Sequence, residues 1–101
     1  MENIGNILQD HKITLHFVQR NGKKGWTNVK GLDKFNFDDA GLENFSKFVK
    51  KRMGCNSTII IDEEQKQKYL QFQGDQREGI KKILLEKKVV DTENQIIMRG
   101  G

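Results

Sequence analysis

The sequence predicts an α+β fold: a single compact two-layer sandwich, with a mixed or antiparallel sheet of about five strands and two helices on one face, in the order β-β-α-β-β-α-β. Three observations carry this expectation. Short runs of alternating or β-branched residues come in pairs, two segments show a helical apolar stripe, and 101 residues suit one modest core.

Residues 1–11 lack clear periodicity and read as a short, poorly ordered tail, with the domain spanning 12–101. Ile13, Leu15 and Phe17 alternate with Thr14, His16 and Val18, the period of a half-buried strand. Asn21-Gly22 follows, a strong signal for a tight hairpin because both positions tolerate positive φ. The return strand is Trp26 to Val29, ending at Gly31.

Asp38 or Asp39 then caps a helix, where a carboxylate meets unpaired N–H groups and the positive end of the helix dipole. Leu42, Phe45, Phe48, Val49 and Met53 recur at three- and four-residue steps, and Gly54 is a suitable stop. Thr58 to Ile61 reads as a largely buried strand, Asp62 to Lys68 as a charged turn, and Tyr69 to Gln73 as the next strand. Asp75 and Glu78 have the spacing of a capping box for a second helix, which presents Ile80, Ile83 and Leu84 and fades near Lys88. Gln95 to Met98 makes the final strand.

Lys and Arg number 18 against 14 acidic residues, a net charge of +4, which favours polyanionic partners without selecting one. The single cysteine, Cys55, excludes an intrachain disulfide and a cysteine-rich zinc site. No apolar run approaches the length of a membrane span and no signal peptide is visible, so a cytoplasmic protein is expected, and the sequons at Asn44 and Asn56 read as chance. His11 and His16 have no third ligand at a suggestive spacing, so neither a metal nor a cofactor is expected. Cys55 has no activating base nearby in sequence, and nothing argues for catalytic residues or an enzyme. Trp26 and the phenylalanines fit a core better than a base-stacking platform.

Three constellations offer binding chemistry. The hairpin tip Gln19-Arg20-Asn21-Gly22-Lys23-Lys24 projects three cations, either as a probe for an RNA groove or as lysines that discourage edge pairing. Lys47, Lys50 and Lys51 share one helix face, which a polyanion would neutralise and which solvent alone would also satisfy. At Gln73-Gly74-Asp75-Gln76-Arg77 a helix start and Arg77 could meet phosphate, unless Asp75 occupies the free N–H groups as the cap. Gly74 to Gly79 imitates half a phosphate-binding loop, but Ile80 stands where that motif needs lysine.

Four stretches in order, Gln19 to Lys24, Val29-Lys30-Gly31, Cys55-Asn56-Ser57-Thr58 and Gln73 to Arg77, resemble the eukaryotic translation initiation factor one family over about Lys12 to Gly100. The resemblance implies a compact α/β sandwich that binds the small ribosomal subunit near the peptidyl site. There it would promote scanning and start-codon fidelity by opposing premature seating of initiator tRNA. It implies rRNA contacts by Arg20, Asn21, Gly22, Lys23, Lys24, Lys47, Lys50, Lys51, Gln76 and Arg77, and a fidelity role for Asp75 and Gln76. Asp75, an anion, is expected to orient Arg77 while capping the helix.

The implied partners are small-subunit rRNA and other initiation factors of the pre-initiation complex, with the chain acting as a monomer and without a membrane. The tail is shorter than the family's usual arm, Trp26 replaces a smaller aliphatic residue, and Ser57 stands where glycine is common. A general RNA-binding domain, or a protein-interaction module of the same fold, is the alternative reading.

Overall fold

A computed structural model describes residues 11–20, 24–35, 37–64 and 66–100, with Arg20 described for its backbone only. The order is β1 (Ile13–Arg20), β2 (Lys24–Lys30), a 3-10 turn (Leu32–Phe35), α1 (Asp39–Met53), β3 (Ser57–Asp62), β4 (Gln67–Gln73), α2 (Arg77–Glu86), a second 3-10 turn (Glu93–Gln95) and β5 (Ile96–Gly100). The strands form one sheet in the order β3-β4-β2-β1-β5. All neighbours are antiparallel except β1 and β5, which run parallel, so the sheet is mixed.

Strand parity decides which residues meet the helices. Ile13 and Leu15 of β1, Val29 of β2, Leu70 and Phe72 of β4 and Ile96 of β5 are buried together under α1 and α2. The first five are wholly buried, each contributing about 1.5–3 kcal/mol of transfer free energy. Helix α1 adds Leu42, Phe45 and Val49 from one stripe, and α2 adds Ile80, Ile83 and Leu84. Trp26 has the opposite parity to Thr27 and Val29 and is half-buried on the face away from the helices, not in the core. The expectation of a largely buried β3 is also corrected. Among the described residues only β4 flanks this edge strand, and Ile61 is 62% exposed.

The two helices begin and end differently. Asp38 accepts from the Gly41 N–H at 2.8 Å and caps α1, while Gly54, at φ 67°, closes it by donating to the Lys50 carbonyl at 2.9 Å. Helix α2 ends with the Lys88 N–H donating to the Leu85 carbonyl and the Val89 N–H to the Leu84 carbonyl. That is a Schellman closure with lysine, at φ 58°, where glycine is usual. Sequence offers no stop signal there, yet the helix ends close to the expected Lys88.

Candidate nucleic-acid interface

The motif segments meet at one end of the sandwich. Strand β2 starts at Lys24, and the next residue, Gly25, accepts a hydrogen bond from the Gly74 N–H at 2.8 Å. The Asn56 carbonyl accepts from the Gln73 N–H at 2.9 Å, and the Asn56 amide donates to Gln73 Oε1 at 3.2 Å. The start of β2, the loop after α1 and the β4–α2 turn are thus pinned together around Gln73 and Gly74. Of the hairpin residues, Asn21, Gly22 and Lys23 lie outside the described residues; Arg20 pairs with Lys24 through the β1–β2 ladder.

Lys47, Lys50 and Lys51 are exposed on α1 and, with Gly54, Cys55 and Asn56, line an open concavity of about 440 Å³. Lys47 is 3.8 Å from Glu43, a long and solvated pairing, whereas no described carboxylate lies within ion-pair distance of Lys50 or Lys51. Lys50, Lys51 and Arg52 occupy the last turn, where the negative end of the helix dipole holds cations in place. Cys55 is half-buried, and burial pushes its thiol above the ordinary range despite Lys50 nearby.

The Gln73–Arg77 turn is internally braced. Thr27, fully buried on the helix side of β2, donates from Oγ1 to the Gly74 carbonyl at 2.7 Å and accepts from the Gln76 N–H at 2.8 Å. The Gln76 side chain donates back to the Gln73 carbonyl at 3.0 Å. Arg77 donates through Nε and Nη2 to the two oxygens of Asp75, at 2.8 and 2.7 Å, and through Nη1 to the carbonyls of Arg99 and Gly100, each at 3.0 Å. Its guanidinium also lies 5.3 Å from the centroid of the Phe17 ring. The ring in turn covers Gly25, where a Cβ would come within 2.4 Å of it.

One expectation changes. Asp75 does not cap α2: Gln76 is the N-cap residue and has no side-chain cap bond, so Glu78 falls at the second helical position and the capping box does not form. A forked guanidinium holds both carboxylate oxygens better than a backbone N–H could, and the Arg77 N–H reaches Asp75 only at 3.4 Å. The Arg77 hydrogen bond is also the main reason that the Asp75 carboxyl lies below the ordinary range. Arg77's fork is therefore committed within the chain, tying the start of α2 to the end of β5. Sequence reasoning missed Thr27, although a hydroxyl at an inward strand position between Gly25 and Val29 was a signal.

Among the described residues, no group of three or more His, Cys, Asp or Glu is placed to hold a metal ion, and no helix is long and apolar enough to cross a membrane. Fold and site together define a small, basic α+β module that presents cations and a braced turn at one end. Residues 9–90 match the family described as translation initiation factor SUI1. The chain is 40% identical over 93 residues to a protein translation factor SUI1 homolog of Salix bakko, covering 92% of this chain and 77% of that one. It is 37% identical over 82 residues to homolog 2 of Arabidopsis thaliana, covering 81% and 68%. The C-terminal domain of human eIF2D shares the fold, with a TM-score of 0.70 at 20% identity, over 84% of this chain and 41% of that one. The chain belongs to the translation initiation factor SUI1 family.

Proposed function

We propose that this factor binds the small ribosomal subunit near the peptidyl site, holding the initiation complex in a scanning state and opposing premature seating of initiator tRNA. The convergence of the β2 start, the Lys50–Lys51 turn of α1 and the Gln73–Arg77 turn at one end supports this reading most directly. It gives a polyanion several contacts on one rigid face. Lys47, Lys50, Lys51 and Lys24 supply phosphate contacts, together with Arg20, Asn21, Gly22 and Lys23 at the hairpin. Gln76 lies on the braced turn beside them. Asp75 and Arg77 act by keeping that turn in shape, so that start-codon stringency depends on its geometry.

No covalent chemistry is required. A factor that binds one conformation of the complex more tightly raises its population by that difference in affinity. The factor leaves when codon pairing favours the other conformation. It works in the cytoplasm, as a monomer, with other initiation factors as further partners.

Labelled protein is titrated with purified eukaryotic small subunits, with large subunits and an unrelated structured RNA as controls. Salt-sensitive binding to small subunits alone is the expected result. Equal binding to all three replaces it with a general RNA-binding role, and no binding points to a protein partner.

A further inference from the structure

The sheet face away from the helices is covered by no described element, and it is not an ordinary solvated surface. Thr58, Gln71, Asn28, His16 and Arg99 stand in register across all five strands, forming one row of hydrogen-bonding side chains. Within the row, Gln71 donates to Asn28 Oδ1 at 3.0 Å. Trp26 and Tyr69, the chain's sole tryptophan and sole tyrosine, flank this row on opposite sides, and both are half-buried. Lys30 lies with its Nζ 4.7 Å above the Tyr69 ring, four residues, or about 13 Å, along β2 from Trp26.

Charge on this face is one-sided. Lys24, Lys30 and Arg99 are cationic, while Asp62, at the outer corner on β3, is its one carboxylate among the described residues. Aromatic rings on the neighbouring strands β2 and β4, amide and imidazole groups between them, and cations around them match one ligand chemistry. Unpaired bases stack on the rings, their edges meet the polar row, and the backbone phosphates meet the cations. A double helix hides its base faces and cannot use the rings.

We infer that the open sheet face is a second nucleic-acid site, which takes unstructured single-stranded RNA and adjoins the cationic end at the start of β2, where Trp26 pairs with Gln73. Trp26 and Tyr69 stack bases, the base on Tyr69 displacing the Lys30 ammonium from that ring so that Lys30, with Arg99, holds phosphates. The site faces away from α1, so Lys47, Lys50 and Lys51 are not part of it.

Trp26 provides its own readout. The full chain is titrated at low salt with a ten-nucleotide oligouridylate, an oligoadenylate of equal length and a duplex RNA, following tryptophan emission. Saturable quenching by both single strands is expected, with none by the duplex. Tyr69→Ala weakens the single-strand affinity about five-fold or more, near the low end of what one stacked base contributes, and Arg99→Ala weakens it and makes its salt dependence shallower. Tyr69→Phe retains the ring and binds like the unaltered chain, which separates stacking from a folding defect. Replacing Lys47, Lys50 and Lys51 together by alanine leaves the quenching curve within two-fold.

Absence of quenching overturns the inference, as does quenching that disappears with the three helix lysines or that persists unchanged in Tyr69→Ala and Arg99→Ala. Because the assay contains no ribosome, its failure leaves small-subunit binding by the cationic end standing, and the converse also holds.

Discussion

Both carboxylate oxygens of Asp75 are held by the guanidinium of Arg77, whose remaining nitrogen donates to the carbonyls of Arg99 and Gly100. One side chain thus fixes three things at once: the turn before α2, the first residue of α2 and the end of strand β5. The Phe17 ring beneath it sets the height of the guanidinium over the sheet.

Arg77→Ala is expected to destabilise the chain, since it removes hydrogen bonds from a charged group, an effect partly offset because water can reach the freed carbonyls. Amide exchange should rise selectively at the end of β5. Arg77→Lys should not rescue it, since one ammonium cannot serve both the carboxylate and the two carbonyls in that fork geometry. Urea denaturation and exchange measured together test this, and uniform loss of protection would contradict it.

The same pair gives a pH dependence with a definite sign. The Asp75 carboxyl is depressed in the folded chain, chiefly by its hydrogen bond from Arg77. Its contribution is therefore complete above the ordinary aspartate range and is lost as pH falls below about 4 toward the folded value. The Asp75 side chain is 46% exposed, so at most about 1 kcal/mol is at stake. The stability gap between the native chain and Asp75→Asn should be constant near neutrality and close on acidification. A gap that widens instead would assign the pair no stabilising role.

How far sequence reached is shown by individual residues. The stripes of α1 and α2 and the alternation in β1 were legible because the burial of Leu42, Val49, Ile80 and Leu15 is written in local periodicity. Parity across the sheet was not. A single strand of mixed apolar and polar residues does not say which side faces the helices, and Trp26 was assigned to the wrong one. The Asp75 cap failed for a related reason, because spacing cannot reveal that a guanidinium two residues on competes for the same oxygens. Lys50 and Lys51 were legible as a charged face, whereas the nearness of Lys24 to the Gln73–Arg77 turn depends on the long-range hydrogen bond between Gly74 and Gly25.

Thr27→Val removes the hydroxyl that bridges Gly74 and Gln76 while keeping the volume nearly unchanged. The Gln76 N–H then loses its acceptor beside a fully buried side chain, at a cost of about 1–3 kcal/mol. If the Gln73–Arg77 turn matters for ribosome binding, small-subunit affinity should fall as well, although Thr27 is inaccessible to RNA. Thermal denaturation alongside the subunit titration separates the two effects.

Lys88→Gly should stabilise the chain. Lysine holds a left-handed conformation there, which costs an L-residue about 1–2 kcal/mol relative to glycine, while glycine's greater freedom in the unfolded chain returns part of this. A net gain of about 0.5–1 kcal/mol in denaturant titration is expected. Lys88→Ala, which keeps the Cβ, should show no such gain.

Replacing Lys50 and Lys51 with alanine separates binding from folding most cleanly. Their repulsion with Lys47 at three- and four-residue spacing costs the helix about 0.2–0.5 kcal/mol per pair, and alanine relieves it. Against this, cations in the last turn gain about 0.3–1 kcal/mol from the helix dipole, and alanine forfeits that. The two terms are opposite in sign and partly cancel, so stability should change by no more than about 1 kcal/mol. Binding has no such compensation. Each lost phosphate contact lowers affinity for the small subunit and reduces the slope of log affinity against log salt by about 0.7–0.9. A variant that melts with the native chain and binds with a shallower salt slope assigns the two lysines to RNA. An unchanged slope would return them to a solvated helix face and leave the rest of the cationic end to carry the contact.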